Sequence, residues 1–255
     1  MSTSIQSVVG TATTTSMKRL ARVAGVFYLF VAIFGGFSQG VAPTLLYVAG
    51  DAAATAGNVI ANPALVPVTV VAHLINAVFF TLTAVAFYLL LGHVHKHVAR
   101  VMVIAVVLAV GIISVSAVFA FAASRVATDV TYVAAFGTGG MNALVLLLLD
   151  LEHYGILAAQ VFFGLWLAPL GYLAYRSGLF PKGLGVVLVA ATVSYLVDVL
   201  VAFLAPDSAP QVHPFLTIAP LISEVWMLGY VFVKGVRSPR TTDRGVVAPV
   251  APMPA

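Results

Sequence analysis

The chain has 255 residues, of which 62% are hydrophobic and only 8% are charged, so it is far more apolar than an average soluble domain. This composition excludes a water-soluble globular protein, and its 16 Phe and 9 Tyr residues exclude an intrinsically disordered chain. The absence of cysteine excludes disulfides and thiolate metal sites, and the net charge of +4 comes from basic residues beside apolar spans, which indicates membrane topology rather than nucleic-acid binding.

Six uncharged apolar runs are long enough to cross a bilayer, which requires about 20 helical residues. We interpret the first, which follows Arg22, as an uncleaved signal anchor because it is longer than the apolar core of a signal peptide. A short polar loop at residues 93–100 separates the second run from the third, so these two helices are expected to be antiparallel neighbours. The predicted spans are residues 23–41, 65–91, 101–123, 153–175, 183–204 and 215–233.

The fold class expected is therefore an all-α polytopic integral membrane protein with six transmembrane helices. Residues 141–149 are also apolar, but as a helix they reach only about 14 Å, which is too short to span. Because Gly137 and two further glycines precede them, they are predicted to form an extra short outer half-helix before the fourth span. Another short outer helix is predicted at Ala52–Ala61, with Asp51 as its N-cap.

The distribution of basic residues predicts the orientation of the protein. All but one of the 12 Lys and Arg residues fall on one side if the N-terminus is inside the cell, and only Arg125 falls on the other. The positive-inside rule then predicts a multi-pass protein of the plasma membrane with both termini in the cytoplasm. A transmembrane domain at residues 18–237 is expected between disordered cytoplasmic tails at residues 1–17 and 238–255.

Two acidic residues lie at membrane depth, where an ionised side chain is costly and commonly has a function. Asp198 lies near the outer end of the fifth span, and Glu224 lies nine residues into the sixth. Pro220, four residues before Glu224, predicts a kink beside this acid because it removes a backbone donor. We expect a polar pocket in the outer half of the membrane with both acids at its floor, Glu224 serving as the acid of any catalysis and Asp198 as its positioning partner.

Polar side chains of the second and fourth spans are expected at the same depth. His73 and Asn76 lie on one face of the second span, and His153 shares a face of the fourth with Gln160. The residues predicted to bind a ligand are His73, Asn76, Glu152, His153, Tyr154 and Gln160. The alternative is that these groups only join helices through hydrogen bonds.

No metal or cofactor is expected. His93, His95 and His97 alternate in a polar loop, and an i, i+2 spacing on a helix would point them to different faces, so we interpret them as solvated. The sequence contains no glycine-rich phosphate loop, nucleophile elbow or HExxH motif.

Three stretches of the sequence resemble a known family. The runs LLDLEHYGILAAQVFFGLW, GYLAYRSGLFPKGLGVVL and SYLVD are similar to the bacterial multi-pass membrane family catalogued as domain of unknown function 4386, and the likeness covers nearly the whole chain. It implies a six-helix membrane protein of unassigned function. The family tends to place an acid in the second span, where this chain has His73. The residues that match its motif are His153, Tyr154, Gly155, Asp198 and Glu224.

Three functions remain open at this point. The first is binding of a small amphipathic or lipid-like molecule in the outer pocket, with acid-catalysed chemistry as an extension. The second is proton- or cation-coupled transport, which the absence of an internal repeat makes less favoured. The third is a structural or accessory membrane subunit. Expected partners are membrane lipid, a small lipophilic ligand and further copies of the chain, and nucleic acid is not expected.

Overall fold

The computed structural model describes residues 2–237, with side chains from residue 16 onward. All regular structure in this part of the chain is helical, and six segments are long and apolar enough to span a membrane, which confirms the predicted fold class. The helices are α1 (Ser2–Gly35), α2 (Ala52–Ala61), α3 (Leu65–Leu91), α4 (Lys96–Thr128), α5 (Val130–Ser177), α6 (Lys182–Leu204), α7 (Ala209–Leu216) and α8 (Ile218–Gly229).

The first and last spans each contain a π-helical turn. The first continues from α1 through the turn Gly36–Val41 to Leu46, and the last comprises α7, α8 and the turn Tyr230–Lys234. The spans alternate in direction, so one end of the bundle carries Lys18, Lys96, Lys182 and Lys234. We call this the basic end, and the other the opposite end.

The N-cap predicted for α2 is confirmed. The side chain of Asp51 accepts a hydrogen bond from the backbone nitrogen of Ala54 at 2.9 Å, and thereby satisfies one of the N–H groups that lack a partner within the helix. The helix packs at the opposite end of the bundle, where Ala56 and Val59 are completely buried.

The helix before the fourth span differs in position from the prediction. The backbone breaks at Gly137, where φ is 70° and ψ is 169°, a conformation that favours glycine. The short helical segment before the break is residues 130–136, whereas residues 141–149 continue directly into the fourth span. Met141, Val145 and Leu149 are buried against α2 and its neighbours, and this packing explains why the helix continues. The unbroken part of α5 is about 60 Å long, twice the thickness of the hydrocarbon layer.

The two expected tails stay predictions. The helix α1 begins at Ser2, and its membrane-spanning part begins at Ser16. Helix propagation adds one hydrogen bond for each residue fixed, and a spanning helix can extend in this way. The other expected tail, residues 238–255, lies outside the described residues.

The main core occupies the half of the bundle nearer the basic end. At its centre Trp166 of α5, which is 1% exposed, meets Tyr28 and Phe80 edge-on, with ring centroids 5.7 and 5.2 Å apart. Edge-to-face contacts of this kind are favourable between aromatic rings. The cluster fixes α1, α3 and α5 around one point, directly beside the cavity described next.

Candidate functional site

A cavity of about 360 Å³ lies among α1, α3, α5, α6 and α8. Its volume is within the range of small-molecule sites, about 300–1,000 Å³. Most of the wall is apolar, and its five aromatic rings are those of Tyr28, Phe80, Phe163, Trp166 and Tyr195. The polar side chains in the wall besides the tyrosines are Gln39, Asn76, Thr217 and Glu224.

Glu224 is the acidic residue of this wall, as the sequence predicts for a polar pocket. The hydroxyl of Tyr195 donates a hydrogen bond to its Oε1 at 2.8 Å, and the hydroxyl of Tyr28 donates to its Oε2 at 3.2 Å. Three spans, the first, fifth and sixth, therefore converge on one carboxyl group. Each carboxylate oxygen can accept more than one hydrogen bond, so acceptor capacity remains for a molecule in the cavity.

The last span is continuous past Thr217, between α7 and α8, because the backbone of this residue is helical, with φ −78° and ψ −14°. The kink expected beside Glu224 stays a prediction, and Pro220 falls in the first turn of α8. A proline is tolerated there because the N–H groups of a first turn have no partner within the helix. The carboxyl of Glu224 lies on the following part of α8, which is continuous with the rest of the span.

Asn76 joins two of the helices around the cavity. Its Nδ2 donates a hydrogen bond to the carbonyl oxygen of Val31 at 3.0 Å, and the residue also lines the cavity. Gly35 of α1 permits this approach, because a Cβ at that position would lie 2.6 Å from Nδ2. Asn76, which was predicted to bind the ligand, thus lines the same cavity as Glu224.

Asp198 is not among the residues that line the cavity. Its side chain is buried, and its two oxygens lie 2.9 and 2.8 Å from Nδ1 of His213. His213 belongs to the short helix α7, which folds against the end of α6 and provides this closer partner. Asp198 is thus paired with His213 and does not contribute to the cavity wall at Glu224.

His73 and Glu152 form a separate buried pair between α3 and α5. Nε2 of His73 lies 3.2 Å from Oε1 of Glu152, and the two residues are 0% and 8% exposed. Nδ1 of His73 has no hydrogen-bond partner among the described residues. Neither side chain lines the cavity, although both were predicted to bind its ligand.

The other predicted residues of α5 lie outside the cavity as well. The His153 ring is exposed and stacks on Tyr47, with centroids 5.2 Å apart, and Tyr154 is about half exposed. Gln160 is partly buried, and its Oε1 has no partner in the described part of the chain. Tyr47 donates a hydrogen bond to Asp150 at 2.5 Å, and burial followed by this bond raises the pKa of Tyr47 well above its usual value.

The two tyrosines that hold Glu224 were not predicted from the sequence. A signal for them exists, because Tyr28 and Tyr195 both lie well inside apolar spans rather than at the interface where membrane tyrosines are enriched. A buried tyrosine hydroxyl usually finds a hydrogen-bond partner. Their position therefore indicates a polar acceptor at the same depth, and Glu224 is that acceptor.

Two comparisons give no relative from which a function could be transferred. No curated protein and no solved structure matches the chain significantly. In the described residues, no group of three or more His, Asp or Glu side chains is arranged to hold a metal ion.

The resemblance found in the sequence is confirmed by a family match. The model of the family described as Domain of unknown function (DUF4386) matches residues 23–235, a range that contains all six spans in large part and every residue of the cavity wall. The chain is therefore an integral membrane protein that belongs to this family, whose function is unassigned.

Proposed function

We propose that the protein binds a small amphipathic or lipid-like molecule in the cavity, with the polar end of the molecule at Glu224 and its apolar body along the aromatic wall. One observation carries this proposal: the carboxyl of Glu224 is held by Tyr28 and Tyr195 at the wall of a mostly apolar cavity of about 360 Å³. A fixed polar group in an apolar pocket is the usual design of a small-molecule site.

The hydrogen bonds at Glu224 indicate the chemistry of the polar end. Two tyrosine hydroxyls already donate to the carboxyl group, so the free capacity of the group is for accepting further bonds. We therefore expect a ligand whose polar end donates a hydrogen bond, such as a hydroxyl or an amine. In apolar surroundings such a bond is stronger than in water.

The size of the cavity limits the apolar body. A volume of about 360 Å³ is at the lower end of the range of small-molecule sites, about 300–1,000 Å³, which is adequate for one small amphiphile. The rings of Phe80, Phe163 and Trp166 line this space and provide broad apolar contact area.

We further propose that the protein lies in the plasma membrane with its basic end in the cytoplasm, because Lys and Arg are concentrated at cytoplasmic ends of spans. The chain has no cysteine, so single cysteines report orientation directly. Ser208→Cys at the opposite end should react with a membrane-impermeant maleimide on intact cells, and His93→Cys at the basic end should react only after lysis. The reverse pattern would contradict the orientation.

The binding proposal is tested by native mass spectrometry of the protein released from lipid nanodiscs. Three proteins are compared: the wild type, Glu224→Gln, and the control Asp198→Asn, which makes the same change from acid to amide at a buried residue outside the cavity wall. Glu224→Gln replaces one of the two acceptor oxygens of the carboxyl group by an amide NH2 donor, so we expect it to lose the bound molecule by about tenfold. Asp198→Asn should retain it.

Two results would contradict the proposal. One is a bound molecule that survives equally in Glu224→Gln, and the other is the absence of any bound molecule from all three proteins. In either case Glu224 would serve to join helices through its tyrosine bonds. Thermal unfolding of each variant is the control for folding, because a change that unfolds the bundle would remove any ligand indirectly.

A further inference from the structure

The cavity reaches the surface of the bundle between the first and last spans. Ala32 and Gly36 of the first span line the cavity and are exposed, and so are Leu221 and Val225 of α8. The two α8 side chains are 66% and 58% exposed, so they form the outer rim of the cavity as well as its wall. We call these four residues the portal.

The two spans are held together at the basic end and separate toward the portal. Gly25 of α1 meets the backbone of Phe232 so closely that a Cβ on the glycine would lie 2.8 Å from its Cα and nitrogen atoms. The contacts between the spans are concentrated at this π-helical turn rather than along α8. Farther along, the gap is bridged by the Tyr28–Glu224 hydrogen bond. The helices therefore enclose a cleft that is closed at the basic end.

The portal lies at the depth of the lipid chains. Gly36 is about 15 Å from Leu46, the far end of the first span, which is about half the thickness of the hydrocarbon layer. Leu221 lies near the middle of the last span, Ala209–Lys234. The side chains around this opening are apolar or absent, so it faces hydrocarbon rather than water or lipid head groups.

We propose that the ligand enters the cavity sideways from the hydrocarbon layer through the portal, and that it is a membrane-dissolved, single-chain amphiphile with an uncharged hydrogen-bond donor, such as a long-chain alcohol. This proposal rests on the proposed binding function. A permanently charged head group would have to cross apolar surroundings that disfavour charge. The neutral hydroxyl of an alcohol passes at a smaller cost and then bonds to Glu224.

The two tryptophans of the chain provide a direct probe. Trp166 is 1% exposed and lines the cavity, whereas Trp226 is 39% exposed and is removed by Trp226→Phe. In this background the remaining fluorescence comes from Trp166, which lipid chains outside the bundle do not contact. A bromine atom quenches tryptophan on contact, so 11-bromoundecan-1-ol added to phosphatidylcholine vesicles should quench Trp166 only by entering the cavity.

Three leucine substitutions in this background distinguish lateral entry through the portal from entry through water at the opposite end. Gly36→Leu narrows the portal, and a side chain fits there because no heavy atom lies within 4 Å of an ideal Cβ. Gly40→Leu is the matched control, since Gly40 is equally open and one turn away but does not line the cavity. Thr217→Leu narrows the cavity where it approaches the opposite end of the bundle. An entrance from water would lie on that side.

Stopped-flow fluorescence measures how fast the bromoalcohol quenches Trp166 in each variant. We expect Gly36→Leu to slow quenching at least tenfold while leaving the final extent close to that of the parent, because a narrowed entrance slows both entry and release. Gly40→Leu, which lies outside the cavity wall, should quench at the parent rate, whereas Thr217→Leu, which changes the wall itself, should slow quenching less than Gly36→Leu does. If Gly36→Leu quenches as fast as the parent, or if only Thr217→Leu is slow, lateral entry is wrong and binding still stands. If the parent shows no quenching and native mass spectrometry of the same sample detects no bound alcohol, the proposed function itself is contradicted.

Discussion

Nε2 of His73 lies 3.2 Å from Oε1 of Glu152, and the pair is buried between α3 and α5 away from the cavity. This bond joins two helices through residues that are 79 positions apart in the chain. Because His73 is completely buried, removal of its partner leaves the imidazole without any hydrogen bond from the described residues.

The pair is therefore predicted to stabilise the fold rather than to bind the ligand. Glu152→Leu should lower the free energy of unfolding by about 1–3 kcal/mol, the usual cost of leaving a buried polar group unsatisfied. The double variant His73→Leu with Glu152→Leu should lose less than the sum of the single variants, because both polar groups are then gone. The measurement is unfolding in mixed detergent micelles with increasing dodecyl sulfate. Strictly additive losses would show that the two side chains do not interact.

The hydrogen bond between Tyr47 and Asp150 predicts a pH dependence at high pH. Burial, and then the bond to Asp150, raise the pKa of Tyr47 in the folded protein above the usual value of about 10. Since the folded-state pKa is raised, the stabilisation is fully present below about pH 10 and is lost as the pH rises through the folded-state pKa. Tyr47→Phe should therefore weaken the dependence of stability on pH above this value.

The measurement for Tyr47 is an absorbance titration of tyrosinate formation together with thermal unfolding at each pH. In the folded protein, Asp150→Asn should lower the pKa of Tyr47 by removing its carboxyl acceptor, while Tyr47→Phe removes one of the nine tyrosine contributions to the curve. An unchanged titration curve in Asp150→Asn would mean that Asp150 does not influence Tyr47.

Much of the architecture follows from single-helix properties that a sequence displays directly. The spans are visible because each must be apolar over about 20 residues, and the cap at Asp51 is visible because its effect is local. Glu224 is conspicuous for the same reason, since an acid within an apolar run is costly wherever the other helices lie. These features require no knowledge of how the helices pack.

Packing determines which side chains form hydrogen bonds with the two buried acids, and these partners were not predicted from the sequence. Tyr28 and Glu224 are 196 positions apart, so no spacing rule connects them. Asp198 was expected beside Glu224 because both acids have similar depth, but depth does not determine which face of a helix meets which neighbour. His213 reaches Asp198 only because α7 folds back against α6. A single histidine in a short polar segment gives no indication of this contact.

The N-cap of α2 predicts a local effect on stability. Asp51→Ala should destabilise the helix Ala52–Ala61 by about 1 kcal/mol, because the backbone nitrogen of Ala54 loses its acceptor. Hydrogen–deuterium exchange of peptides from this helix should become faster, while peptides from α4 should be unaffected. Asp51→Ser should keep most of the protection, since serine is also a good N-cap. Equal exchange in Asp51→Ala and the wild type would exclude a capping role.

The crossing of α5 and α6 is set by two glycines that face each other. A Cβ on Gly171 would lie 2.7 Å from the carbonyl oxygen of Gly185, and a Cβ on Gly185 would lie 2.7 Å from the carbonyl oxygen of Gly171. Small residues at helix contacts in membranes allow this close approach of two backbones. Any side chain at either position must push the helices apart, because the obstructing atoms belong to the backbone.

Gly185→Ala should therefore lower the free energy of unfolding by about 1–3 kcal/mol, the usual cost of overpacking, despite the higher helix propensity of alanine. Gly111→Ala in α4 is the matched control, because nothing lies within 4 Å of a Cβ there. It should leave stability unchanged or raise it by up to about 1 kcal/mol. The same detergent unfolding assay measures both. If the two variants behave alike, the effect comes from helix propensity alone, and the close contact of Gly171 with Gly185 does not determine how α5 packs against α6.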